Sequence, residues 1–287
     1  MTLKAALEEA AAAIGRTDAQ VIMAHLLGVN RAYLAANPMR VLTETEDARV
    51  DTFVARRSLG HPVAYLLGTR EFYSREFAVS PDVLIPRPET ETLVEAALER
   101  IGAAGETSAA RRPRADGGPI SVLDLGTGSG AIAITLACER SELAVTATDS
   151  SEAALEIARG NAATHAARVE FAHGAWYAPV AGRRFDLIVS NPPYVDASEL
   201  PGLEPEVRDH EPRGALVPPG DRYSVYRRLA PAAASLLQEG AVLALEVGQG
   251  MAEEVARICH AAGLETLPPL ADLNGIPRTL VARRTAS

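Results

Sequence analysis

The stretch "VLDLGTGSGAIAITLA" (122–137) places Gly126, Gly128 and Gly130 between an apolar strand pattern and a helix pattern, with Asp124 two residues ahead of the first glycine. Glycine permits a tight turn and lets backbone amides approach a ligand with no Cβ in the way. A second strand pattern, "LAVTATD", ends at Asp149, nineteen residues beyond Gly130. A carboxylate at that strand tip is placed to accept hydrogen bonds from both hydroxyls of a ribose, so loop and acid together point to a nucleoside cofactor. Taken alone, the glycine loop also fits a dinucleotide site or a bare strand-to-helix turn.

A second constellation is "SNPPYVD" (190–196), directly behind the apolar run "FDLIV" (185–189). Proline has a fixed φ and no N–H, so Pro192 and Pro193 hold a stiff bend whose carbonyls need not pair within a sheet. The resulting rim presents the Asn191 side-chain oxygen, the Pro192 carbonyl and the Tyr194 ring. Two acceptors beside a flat ring suit a planar group carrying an NH₂, with its hydrogens on the acceptors and its face on the ring.

Both stretches must be carried by elements that bring them to one edge. From residue 120 onward strand and helix patterns alternate. The strands fall at Ile120–Leu125, Leu143–Asp149, Arg168–Ala172, Phe185–Ser190, Ala241–Val247 and Thr279–Arg283, with a weaker one near Leu264–Leu267. Helices fall at Ala131–Arg140, Ala153–Ala163, Tyr223–Leu237 and Ala252–Ala262. Near-continuous apolar strands in such alternation predict a mostly parallel sheet covered on both faces, with ligands beyond the carboxyl ends of its strands. The first seventy residues read as short helices: Leu3, Leu7, Ala10 and Ile14 share one face, Thr17 caps a second helix ending near Gly28, and Val50, Phe53 and Val54 mark a third. "YLLGTREFYSREF" (65–77) reads as a hairpin or extended connector. In "LIPRPETETLVEAALERIG" (84–102), Glu89 or Thr90 opens a helix burying Leu93, Val94 and Leu98. Residues 103–119 read as a surface loop.

Composition narrows the classes. At 287 residues, 47% hydrophobic and 23% charged, the chain is an ordinary globular one with room for a large and a small domain. No apolar run reaches the roughly 18 residues of a transmembrane helix, and Glu8 and Glu9 interrupt the N-terminal apolar pattern, so neither a membrane span nor a signal peptide is expected. Cys138 and Cys259 are too few and too far apart for a disulfide framework or zinc site, and read as reduced thiols of a cytoplasmic protein. Residues 1–70 hold 8 Lys and Arg against 7 Asp and Glu, whereas residues 71–287 hold 20 against 30, a net charge of −10. Such a surface is poorly suited to gripping nucleic acid through its phosphates.

The order G-x-G-x-G, with Asp124 ahead of it, departs from the dinucleotide fingerprint and resembles the first motif of class I S-adenosylmethionine methyltransferases. Asn/Asp-Pro-Pro-Tyr after the fourth strand resembles the substrate motif of methyltransferases that act on nitrogens conjugated to a π system. Beyond that shared core, "YLLGTREFYSREFAVSPDVLIPRPETETLVE" (65–95) closely resembles the connector of the PrmC/HemK family, the peptide chain release factor glutamine methyltransferases. "VRDHEPRGALVPPGD" (207–221), "LALEVGQG" (243–250) and "DLNGIPR" (272–278) are similar to later stretches of that family.

The resemblance implies a class I methyltransferase, a Rossmann-like α/β fold with a mostly parallel seven-stranded sheet, preceded by a small helical bundle. The expected domains are a helical substrate-recognition domain at 1–64, a connector at 65–84 and a methyltransferase domain at 85–287. It implies S-adenosyl-L-methionine as cofactor, S-adenosyl-L-homocysteine as product, and the glutamine of the Gly-Gly-Gln motif in class I release factors as substrate. Asp124, Gly126, Thr127, Gly128, Ser129, Gly130, Asp149, Trp176 and Asn191 would hold the cofactor. Asn191, Pro192, Pro193 and Tyr194 would hold the substrate, with Asn191 and Tyr194 the catalytic pair and no metal. Trp176 matches an aromatic position near the adenine, although a buried Trp without ligand contact fits the residues as well. Where the family usually has an acid, this chain has Ala175. Arg87 and Glu89 either border the site or pair with each other and cap a helix. The expected partner is a release factor, with no membrane and no nucleic acid, and the chain is expected to work as a monomer. The same core also fits a ribosomal-protein glutamine methyltransferase, an adenine-specific nucleic-acid methyltransferase, or a non-catalytic cofactor-binding scaffold.

Overall fold

A computed structural model describes residues 1–102 and 118–285, so almost all of the loop expected at 103–119 lies outside the described residues. Backbone contacts divide the chain into two units, one of residues 1–69 with 203–210, the other of residues 70–202 with 211–287.

The first unit is helical. Helices Leu3–Ile14, Arg16–Leu27, Arg31–Ala36, Glu44–Ser58 and Val63–Leu67 surround a core that includes Leu3, Ile22, Met23, Leu34, Val50 and Leu66. The Thr2 hydroxyl accepts from the Ala5 amide, and Thr43 with Glu46 forms a reciprocal capping box that satisfies otherwise orphaned donors. Thr17 is not a cap: the second helix starts at Arg16 behind Gly15, whose φ of 83° makes the sharp turn glycine allows. The helices at Arg31–Ala36 and Val63–Leu67 are too short to show a period in sequence.

The sixth helix of this unit, Pro205–His210, comes from far along the chain. Arg57 fastens it: the guanidinium pairs with Asp18 at 2.7 Å and with Glu206 at 2.5 Å, while the His61 and His210 rings lie 4.3 Å apart. The expected domain boundaries put this stretch with the methyltransferase core. Glu206 and His210 find their partners, Arg57 and His61, on the helical bundle instead, while Arg208 pairs with its neighbour Asp209.

The second unit opens with a hairpin, β1 (Thr69–Phe72) and β2 (Arg75–Ala78), turned at Tyr73 and Ser74, which have φ of 51° and 58°. A short 3₁₀ turn, Pro88–Thr90, then leads into helix Glu91–Ile101. The main sheet follows with β3 (Ser121–Leu125), β4 (Ala144–Asp149), β5 (Val169–His173), β6 (Phe185–Ser190), β7 (Leu237–Glu246), β8 (Leu264–Thr266), β9 (Leu270–Ala271) and β10 (Pro277–Arg284). The spatial order is β5-β4-β3-β6-β7-β10-β8, with β9 beside β10. The strands from β5 to β7 are parallel, and β10 runs antiparallel to β7, β8 and β9. The seven expected strands are joined by an eighth, β9, only two residues long.

Apolar cores cover both faces of the sheet, one built around Phe185, Tyr226 and Leu243, the other around Leu93, Ile134 and Val189. Two-sided burial is why "VLDL", "FDLIV" and "AVLALE" carry so few exposed polar positions. The chain runs outward from β3 through β4 to β5, then returns to lay β6 against the other side of β3. The crevice at that reversal is where an open parallel sheet receives a ligand. Among the described residues, no helix is long and apolar enough to cross a membrane.

Candidate active site

The loop after β3 and the rim after β6 border one cavity of about 450 Å³ at the carboxyl edge of the sheet. They are neighbours because β3 and β6 pair directly, with Leu125 opposite Ser190. The buried Ser190 hydroxyl donates to the Leu125 carbonyl at 2.8 Å and pins the two strand ends together.

The glycine loop owes its shape to backbone bonds. The Gly126 and Thr127 amides donate to the Thr148 carbonyl at 2.9 and 3.0 Å. Gly126 and Gly128 have φ of 73° and 55°, and a Cβ on either would meet nothing within 4 Å, so their backbone faces open space. Gly130, at φ 83°, has a different reason: a Cβ there would lie 2.6 Å from Ile134 Cδ1 and 3.2 Å from Ala158 Cβ. It does not line the cavity; it allows helix Ala131–Glu139 to pack closely against helix Glu152–Thr164. From the latter helix the buried Asn161 side chain donates to the Ser129 and Ala78 carbonyls and accepts from the Ala78 amide, tying loop and hairpin together.

The Asp149 carboxylate is held by two amides, from Gly128 on Oδ2 and Ser151 on Oδ1, each at 2.9 Å. It lines the cavity. Replacing Asp149 with alanine should weaken cofactor binding by about 10–100-fold, the usual worth of a hydrogen bond to a charged group. Calorimetric titration checks this, and unchanged affinity would remove Asp149 from the binding site.

Asp124 is fully buried beneath the loop rather than on the cavity wall. Its Oδ2 accepts from the Thr127 hydroxyl at 2.6 Å, and its Oδ1 meets no hydrogen-bond partner among the described residues. Burial pushes its carboxyl up to about 7, against the Thr127 hydroxyl and the Ala133 amide that hold it down. From beneath the loop Asp124 holds the Thr127 side chain, and so braces the turn between β3 and helix Ala131–Glu139.

Trp176 lines the cavity in a left-handed conformation, φ 55°, with the Arg228 guanidinium carbon 5.7 Å from its ring centroid. An aromatic residue at positive φ stores backbone strain beside a site. Ala175, where the family usually has an acid, is also on the wall and offers no carboxylate there.

Asn191, Pro192 and Pro193 also line the cavity. Tyr194 stands behind them: its ring fills the space beside Gly248, where a Cβ would lie 3.0 Å from Tyr194 Cδ2, and its hydroxyl reaches Glu246 Oε1 at 3.3 Å. Burial, with the Glu246 charge, pushes the phenol far above its ordinary range and keeps it protonated. Arg87 lines the cavity and pairs at 2.5 Å with the buried Glu211, not with Glu89. Neither Thr90 nor Glu246 stands out in the sequence as a site residue, yet both reach this rim. The available signal was an acid ending an apolar strand at the same edge as Asp149.

Comparison with known proteins agrees with this geometry. Residues 2–68 match the PrmC N-terminal domain, and residues 115–245 match the methyltransferase small domain. The chain is 43% identical to the release factor glutamine methyltransferase of Bradyrhizobium diazoefficiens, over 99% of this chain and 93% of that one. It is 42% identical to the enzyme of the same name from Koribacter versatilis over the full length of both. In fold it is similar to the crystal structure of a methyltransferase from Pyrococcus furiosus, with a TM-score of 0.52, 19% identity, and 81% of this chain and 98% of that one covered. With a glycine loop, an acid at the tip of β4 and an Asn-Pro-Pro rim around one cavity, and full-length relatives at this identity, the chain belongs to the release factor glutamine methyltransferase family.

Proposed function

We propose that the protein transfers a methyl group from S-adenosyl-L-methionine to the side-chain amide nitrogen of the glutamine in the Gly-Gly-Gln motif of class I release factors, leaving S-adenosyl-L-homocysteine. The observation that carries this reading is that Asn191 and Pro192 line the same cavity as the glycine loop and Asp149. Asp149 would take the ribose, the loop amides the methionine end with Asp124 bracing the loop from beneath, and Trp176 the adenine. The cofactor supplies a methyl group already activated on a sulfonium sulfur.

The chain's own task is alignment, because an amide nitrogen is a weak nucleophile with its lone pair drawn into the carbonyl. Asn191 Oδ1 and the Pro192 carbonyl accept the two amide hydrogens, fix the NH₂ plane and favour positive charge developing on nitrogen. Tyr194 stabilises the rim from behind. No side chain is needed as a dedicated base, since the methylated nitrogen is acidic enough to lose its proton to water. In this reading the enzyme works in the cytoplasm as a monomer, on a protein partner and without holding nucleic acid.

The test is incubation with isotope-labelled S-adenosylmethionine and an unmodified class I release factor, followed by peptide mass spectrometry. One methyl is expected on the Gly-Gly-Gln glutamine, and none in a Gln→Ala control. Methylation of a ribosomal protein or of adenine in its place would overturn the substrate assignment.

A further inference from the structure

Behind the rim runs a connected set of polar side chains from three separate parts of the second unit. Asn191 Nδ2 donates to Thr90 Oγ1 at 3.2 Å. The Thr90 hydroxyl donates to Glu246 Oε2 at 2.6 Å, and the Tyr194 hydroxyl donates to Glu246 Oε1 at 3.3 Å. Thr90 and Glu246 are both buried, and the Tyr226 hydroxyl donates to the Glu246 backbone carbonyl at 2.9 Å. Resting on the function proposed above, we infer that Thr90 and Glu246 are positioning residues for methyl transfer, which dictate that Asn191 presents its oxygen rather than its nitrogen to the substrate amide.

The argument is one of donor and acceptor capacity. A carboxylate only accepts, and a threonine hydroxyl has one hydrogen. With that hydrogen committed to Glu246, Thr90 has only lone pairs left for Asn191, and only Nδ2 can meet them. Asn191 Oδ1 is thereby turned away from Thr90 and presented as an acceptor. Tyr194, which cannot ionise here, spends its own hydrogen on the other carboxylate oxygen.

A protonated Glu246 reverses the relay. Its carboxyl hydrogen then satisfies Thr90, the threonine hydrogen turns toward Asn191, and the amide swings its NH₂ toward the substrate NH₂, donor against donor. The groups facing Glu246 are Glu89 and Thr90 from the 3₁₀ turn, Tyr194 from the rim, Tyr226 from helix Ser224–Leu236 and Arg278 from β10. Burial dominates and pushes the carboxyl up to about 7; Glu89 adds to this, while Thr90, Tyr194 and Arg278 oppose it.

The experiment measures kcat against pH at saturating cofactor and release factor, with cofactor affinity and melting temperature determined alongside. Wild-type kcat should rise about tenfold from pH 6 to pH 8 as Glu246 ionises. Asp124 titrates in the same range, so the assignment rests on the limb disappearing in Glu246→Gln, with kcat about 10–100-fold lower and cofactor affinity within about threefold. Thr90→Val, which keeps the shape and loses the hydroxyl, should fall as far as Glu246→Gln, while Thr90→Ser should stay within about threefold of wild type. A flat wild-type profile, or equal kcat for Thr90→Val and Thr90→Ser, overturns the inference; both readings survive a Glu246→Gln chain that fails to fold. A wild-type enzyme that binds cofactor but methylates no release-factor glutamine overturns the proposed function beneath it instead.

Discussion

Replacing Asn191 with alanine lowers kcat for release-factor methylation by about 10²–10³-fold, the usual cost of removing one preorganised group aimed at charge developing in a transition state. Cofactor affinity falls far less, because Asp149 and the glycine loop are held by their own backbone bonds to Thr148, Ser151 and each other, none of which passes through Asn191. Fold is likewise retained, since Asn191 is only partly buried and its bond to Thr90 leaves the Thr90–Glu246 bond in place. Single-turnover kinetics with cofactor titration separates the two effects. An equal collapse of binding and turnover would remove the alignment role from Asn191.

The second large effect is on stability. Gly130→Val must place a β-branched side chain at φ 83°, where the left-handed conformation costs about 1–2 kcal/mol. The added Cβ would also meet Ile134 Cδ1 at 2.6 Å and Ala158 Cβ at 3.2 Å, and overpacking of this kind costs about 1–3 kcal/mol. Ile134 is fully buried and Ala158 sits on the neighbouring helix, so neither has space to yield. A total near 3 kcal/mol lowers the melting temperature by about 6–12 °C for a domain of this size. Gly128→Ala, at a similar φ with nothing within 4 Å, should lose only the conformational part, and its stronger effect should be on cofactor binding. Thermal melts of the two variants distinguish a packing glycine from a ligand-facing one. Equal destabilisation would argue against the distinction.

That contrast marks how far the sequence could be read. The periodicities located the seven longer strands of the main sheet and the long helices between them, because apolar runs buried on both faces leave a strong signal, and missed β9 and the four-residue helix Arg213–Leu216. They also brought Gly126, Asp149 and Asn191 to one edge, since their places follow from strand ends alone. The glycine run could not reveal that its third member serves Ala158, because that contact depends on helices brought together only by the fold. Tyr194 shows the same limit. Its type and position suit stacking on a substrate, and the fold turns its hydroxyl inward to Glu246. Thr90 and Glu246 lie 156 residues apart and meet only because helix Glu91–Ile101 covers β7. Short helices such as Arg31–Ala36 are set by caps and tertiary contacts, below the length at which a period can be read.

The excursion of residues 203–210 bears on how this protein can be rebuilt. Its helical unit is not a cassette that ends at Thr69, because its sixth helix is encoded between the Asn-Pro-Pro rim and Glu211. A chimera that swaps residues 1–69 alone would pair a foreign bundle with the native Pro205–His210 and orphan Arg57's counterpart Glu206. A graft of 1–69 together with 203–210 carries the whole unit. Recombination between relatives should therefore tolerate a single crossover near residue 70 poorly, and the exchange of both segments well.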